Sequence, residues 1–235
     1  MKKFYRLLFL MLLFCSLLTA SALAAPNDDM NTITIKGYAQ RQVSPDTAFI
    51  VIGVVTQHEK VEMSIQQNAA KIDKIIRSLS NFGIVKGDIN TSSFDLRPVY
   101  TTGNDRKISA YTLENLLTIK VKDLANIGNI LDTAFFQGAN RLDGIRFTVS
   151  NADNLQKDLL QEAVRDGINK AKLVAGAAGR NIGVLLKADV GNNTGSYPEA
   201  RMIKSMNDTG GFAASQVFAG NITLTADVVL VYELR

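Results

Sequence analysis

The sequence predicts an α+β fold in which three main helices cover a mostly antiparallel sheet. Two observations carry that prediction. Period-two or β-branched runs recur in adjacent pairs, and three segments with apolar residues at three- to four-residue spacing are interleaved among them. The resulting order is β-β-α-β-β-α-β-α-β-β. Recurring hairpins in that order favour antiparallel pairing over a doubly wound parallel sheet.

The first strand starts at Thr32-Ile33-Thr34-Ile35, which alternates at period two. Pro45-Asp46 is turn punctuation, and Thr47 to Val55 is a β-branched run suited to a buried strand. Their closeness in sequence predicts a hairpin. From about residue 60 to Phe82 the period changes: Val61, Ile65, Ala69, Ile72, Ile76 and Leu79 line one face, and Gly83 fits a left-handed end cap. Ile89 to Tyr100 and Ile108 to Val121 read as strands around a Thr102-Gly103-Asn104-Asp105 turn.

Asp123 is placed to cap a second helix, with Leu124, Ile127, Leu131 and Phe135 on one face and Gly138 near its end. Ile145, Phe147 and Val149 alternate as a strand. Asn151 or Asp153 is placed to cap a third helix running to about Ala178, with Gly179 as its stop. The small residues of that helix allow close approach to a sheet. Val184 to Val190 and Ile222 to Tyr232 are the last strands, and residues 192–220 read as a polar, irregular excursion. The opening β-β-α-β-β-α-β reads as one unit. From residue 151 the last helix and two strands either complete its sheet or form a small sub-lobe.

The N-terminus bounds the compartment. Lys2, Lys3 and Arg6 precede the twelve uncharged residues Leu7 to Leu18, and Ala22-Leu23-Ala24 supplies the small residues of a cleavage site before Ala25. Residues 1–24 therefore read as a signal peptide and 25–31 as a polar leader, with the domain at 32–235 and a periplasmic or secreted location. Twelve apolar residues are too few to span a bilayer core of ~30 Å comfortably. Cys15 is the only cysteine and sits inside the apolar run after Phe14, which fits the signal core better than a lipid attachment site. Cleavage would leave no thiol for disulfide, metal or nucleophilic chemistry. It would also remove three of 26 basic residues, leaving 23 against 22 acidic ones, which weakens any case for nucleic acid as a partner.

Catalytic patterns are few in the sequence. His58 is the only histidine. A zinc site built on it would need carboxylates alone to finish it. No phosphate-binding glycine loop and no G-x-S-x-G elbow is present. Asp46 and Glu114 are candidate paired carboxylates, although nothing in the sequence brings them together. Phe94, Tyr100 and Tyr111 lie on neighbouring predicted strands near Arg97 and Arg106. They form the candidate ligand surface, able to stack on a sugar or a base, against the alternative of ordinary cross-strand packing.

An ordered set of short motifs resembles the SIMPL-domain family of exported bacterial proteins. It comprises Gly37-x-Ala39, Val43-x-Pro45-Asp46-x-Ala48, the run from Ile89 through Thr91-Ser92-Ser93-Phe94 to Pro98-x-Tyr100, and Tyr111-x-x-x-Asn115. It continues with Gly138-Ala139-Asn140, Gly144-Ile145-x-Phe147, Lys170-Ala171, Tyr197-Pro198 with Ala200-Arg201-Met202, and Val229-x-Val231-Tyr232-Glu233-Leu234. The resemblance brings no active site and no cofactor. It implies an exported, non-enzymatic protein that acts by homo-oligomeric assembly or by binding an envelope protein, in envelope or oxidative-stress defence. A periplasmic small-ligand or glycan-binding module is the alternative, and an uncharacterised enzyme the second.

Overall fold

The computed structural model describes residues 31–102, 106–191 and 219–235. The expected signal peptide, leader and 192–220 excursion lie wholly or mostly outside the described residues, as does most of the 102–105 turn. In chain order the elements are β1 (Thr32–Val43), β2 (Thr47–His58), α1 (Val61–Leu79), β3 (Ile89–Tyr100), β4 (Ile108–Val121), α2 (Ile127–Phe136), β5 (Arg141–Thr148), α3 (Ala152–Ala177), β6 (Ile182–Val190) and β7 (Ile222–Leu234). This is the α+β order the sequence predicts, and every strand pair is antiparallel.

The strands form two sheets, not one. A four-stranded sheet has the order β3-β4-β2-β5, and a three-stranded sheet the order β1-β7-β6. The expected β1–β2 hairpin is therefore corrected. β1 pairs along its whole length with the C-terminal strand, from Thr32 opposite Glu233 to Val43 opposite Ile222, while β2 lies between β4 and β5. The physical reason is in the link Ser44-Pro45-Asp46. The Asp46 carboxylate accepts the backbone N–H and the hydroxyl of Ser150, both at 2.7 Å, and its own N–H donates to the Thr148 carbonyl. The link is thus tied to the β5–α3 connection, and both connections cross between the sheets together.

Each sheet has its own core. Ile50, Ile52 and Val54 of β2, Leu117 and Ile119 of β4, and Phe147 of β5 pack against Ile72, Ile75 and Leu79 of α1 and Ile127, Ile130 and Leu131 of α2. Alternate residues Ile222 to Leu230 of β7 pack with Leu159, Ala163 and Ala171 of α3. The small residues of α3 do bring backbone against backbone. A Cβ on Gly37 of β1 would lie 2.0 Å from the Ala163 carbonyl oxygen.

Helix ends follow the sequence in part. Gly83 and Gly179 adopt the left-handed conformation just past α1 and α3. Asp123 does not cap α2 by bonding its backbone. Its carboxylate accepts from the Asn126 side chain at 2.7 Å instead, because a single 3-10 turn over Leu124–Asn126 intervenes. Asn151 sits at the α3 N-cap, and neither it nor Asp153 makes the expected side-chain cap bond.

Candidate functional site

β3 alternates along its outer half, so Phe94, Leu96, Pro98 and Tyr100 point to one face and Asp95 and Arg97 to the other. The register sets Phe94 opposite Asn115, Leu96 opposite Leu113 and Pro98 opposite Tyr111. Phe94, Tyr100 and Tyr111 therefore share the helix-bearing face of the four-stranded sheet. Phe94 is 61% and Tyr100 49% exposed, while Tyr111 is half-buried. The Arg106 guanidinium lies 5.8 Å from the centre of the Tyr100 ring. Arg97 does not join them: it pairs with Asp95 on the opposite face. Leu96 and Ile108, which sequence reasoning passed over, extend the apolar surface, and period-two alternation was the signal that could have included them.

The other candidates are separate. Thr47, beside Asp46, and Val55, opposite Glu114, lie eight residues apart on β2, which is roughly 26 Å of extended strand. Asp46 and Glu114 are thus not a carboxylate pair. Burial pushes the Asp46 carboxyl up, but the bonds from Ser150 and from the Thr47 hydroxyl outweigh it and hold the pKa below the ordinary value. Glu114 faces Arg141, which is bound more closely by Asp143 at 2.5 Å. His58 accepts the Lys60 N–H on Nδ1 at 3.0 Å and so closes the turn into α1. Among the described residues, no three His, Cys, Asp or Glu side chains gather as metal ligands.

Sequence reasoning missed a buried polar group under the start of α1. Asn68 and Ser64 are fully buried. Asn68 Nδ2 donates to the Val54 carbonyl at 2.9 Å, and the Thr56 hydroxyl donates to the Ser64 carbonyl at 2.9 Å. The side-chain oxygens of Asn68 and Asn115 are buried without a partner. Asn140 plays a different part: Oδ1 accepts the Val55 N–H at 2.7 Å and Nδ2 donates to the Val55 carbonyl at 2.8 Å, so one side chain continues the β5 ladder.

The sheet edges differ in how they meet solvent. At β1 the Asp166 carboxylate of α3 takes the Tyr38 N–H at 2.8 Å, and Glu162 pairs with Arg41. The hydrogen bond from Lys170, followed by that from Tyr38, lowers the Asp166 pKa against the opposing effect of burial. β5 is short, bulged beside Asp143 and charged at Arg141 and Arg146. β3 loses a donor at Pro98. Such features block strand addition. β6 has neither a proline nor a capping carboxylate; its register with β7 shifts twice between Ile182 and Lys187, it carries Lys187 and Asp189, and Val184, Leu185, Leu186 and Val190 are each about half exposed. From Lys187 to Val190 its register with β7 is unbroken.

These features define a class: an exposed-edge α+β protein of two antiparallel sheets, whose open chemistry is apolar strand surface. The chain belongs to the SIMPL family, described as a protein of unknown function (DUF541), which it matches over residues 33–232. It is 25% identical over 211 residues to the 26 kDa periplasmic immunogenic protein of Brucella abortus (strain S19), covering 86% of this chain and 84% of that one. It is 21% identical over 204 residues to the uncharacterized protein YggE of Edwardsiella ictaluri (strain 93-146), covering 86% of this chain and 85% of that one.

Proposed function

We propose that this is an exported, non-enzymatic protein that works by strand-edge association, with itself or with an envelope protein. The observation that carries the reading is β6, an edge strand with four half-exposed apolar side chains, no proline and no capping carboxylate, whose register is unbroken from Lys187 to Val190. Export rests on the signal-like N-terminus and agrees with the periplasmic name of the Brucella relative. The resemblance to exported stress-defence proteins supports an action in envelope or oxidative-stress defence. The test is the mass of the exported chain by light scattering, and its capture of envelope proteins, with and without Leu186→Lys and Val190→Lys together. Loss of association in the variant supports the reading. A wild-type chain that is monomeric at micromolar concentration and captures nothing refutes it.

The shared face of Phe94, Tyr100 and Tyr111 favours a second reading, a platform for a sugar or another flat ligand. A thermal-shift screen of envelope sugars and metabolites tests it. Stabilisation that survives Tyr100→Ala and Tyr111→Ala would remove these residues from the case.

A further inference from the structure

Resting on the strand-edge reading, we infer that the partner of β6 is a second copy of β6, paired antiparallel about a two-fold axis through Ala188. The backbone fixes which groups are free to pair. Gly191 donates its N–H to the Asp227 carbonyl at 3.1 Å, so Gly191 points its backbone groups at β7. By the two-residue period Asp189 and Lys187 do the same, and Ala188 and Val190 direct theirs outward. No described residue pairs with that outer edge.

The side chains then select the register. Lys187 and Asp189 lie opposite Val231 and Val229 of β7, on the face away from α3. They approach each other at only 3.9 Å and are 70% and 68% exposed. With the axis at Ala188, each Lys187 faces the Asp189 of the second copy. Those two residues form a non-hydrogen-bonded pair, the arrangement in which cross-strand side chains come closest. An axis at Lys187 would set lysine against lysine, and one at Asp189 would set aspartate against aspartate. The parallel arrangement likewise brings like charges together. Only the Ala188 register makes the edge self-complementary in charge. In the same register Val190, 52% exposed in the single chain, reaches the second copy at Leu186, where the pairing of β6 with β7 shifts, so the regular part of the ladder centres on Lys187 to Asp189. Ala188 exchanges its N–H and C=O with its own symmetry mate. The two three-stranded sheets become one continuous sheet with the order β1-β7-β6-β6-β7-β1.

The test is a charge swap joined to a crosslink, in the full chain carrying Cys15→Ala so that an introduced thiol is alone. Lys187→Asp and Asp189→Lys should each weaken self-association roughly tenfold, because two facing pairs turn repulsive in each. The double variant should return it to within about threefold of the parent. Ala188→Cys should form a disulfide-linked dimer under mild oxidation, since the Cα atoms of a hydrogen-bonded pair lie about 5.5 Å apart, within disulfide reach. Lys187→Cys alone should not. Failure of the swap to rescue, or an Ala188→Cys chain that stays monomeric, overturns the inference, whether the edge is then covered by another part of the chain or by a different protein. If Leu186→Lys with Val190→Lys still abolishes association while the swap and crosslink fail, the strand-edge reading stands and the two-fold partner falls. If the parent never associates with anything, both fall.

Discussion

Replacing Asp46 with alanine removes the carboxylate that joins the two connections between the sheets. The Ser150 N–H and hydroxyl each lose an acceptor at 2.7 Å, and the Thr47 hydroxyl loses one at 2.9 Å. Hydrogen bonds to a charged group contribute about 1.5–3 kcal/mol apiece where water is excluded. Asp46 and Ser150 are exposed, so water takes over part of each bond, and the expected loss is about 1–2 kcal/mol in total. The pH dependence has a definite sign. The folded-state pKa lies below the ordinary value, so the contribution is complete above the unfolded pKa of about 3.9 and is lost as pH falls through the folded value. Urea unfolding of the parent and of Asp46→Ala should therefore differ by a constant amount from neutral pH down to about pH 4, and converge below it. An unchanged gap in strong acid, or no gap at neutral pH, would refute the assignment of Asp46 as the pin.

Three further substitutions probe the same architecture. Gly37→Ala forces a methyl against the Ala163 carbonyl and should cost about 1–3 kcal/mol in thermal or urea unfolding, whereas Gly87→Ala, with open space around it, should be silent to within about 0.5 kcal/mol. Asn140→Ala removes both bonds to Val55 and should lose about 1–2 kcal/mol, with faster hydrogen exchange at the Val55 amide. Asn68→Asp puts a carboxylate where an amide is fully buried. It should destabilise by at least about 3 kcal/mol at neutral pH and recover as acid neutralises the group, since burial raises a carboxyl pKa.

Much of the fold is legible because the local patterns are strong. The alternation of Ile89–Tyr100 and Ile108–Val121 gives β3 and β4 their observed limits, and the spacing of Ile72, Ile76 and Leu79 gives the second half of α1 its face, whereas Ile65 and Ala69, expected on that face, are exposed and Ser64 and Asn68 are buried in their place. Pairing is less legible. Whether Thr32–Val43 meets its neighbour in sequence or a strand nearly 200 residues away depends on Asp46 reaching Ser150, a contact with no local signature. The same holds for the candidate sites. Phe94, Tyr100 and Tyr111 could be placed on adjacent strands because β3 and β4 form a hairpin. Val184 to Val190 could be read as a strand but not as an edge, because edge position is a property of the assembled sheet. Asn68 and Asn115 gave no warning of burial, since polar residues in a helix and a strand ordinarily face water.

The most direct measurement of strand-edge action is hydrogen exchange at the Ala188 and Val190 amides as protein concentration rises. The strand-edge account predicts that both, exposed in the dilute chain, become protected as association proceeds, while the Tyr38 amide held by Asp166 does not change. Exchange at Ala188 and Val190 that is independent of concentration and of added envelope extract would contradict it.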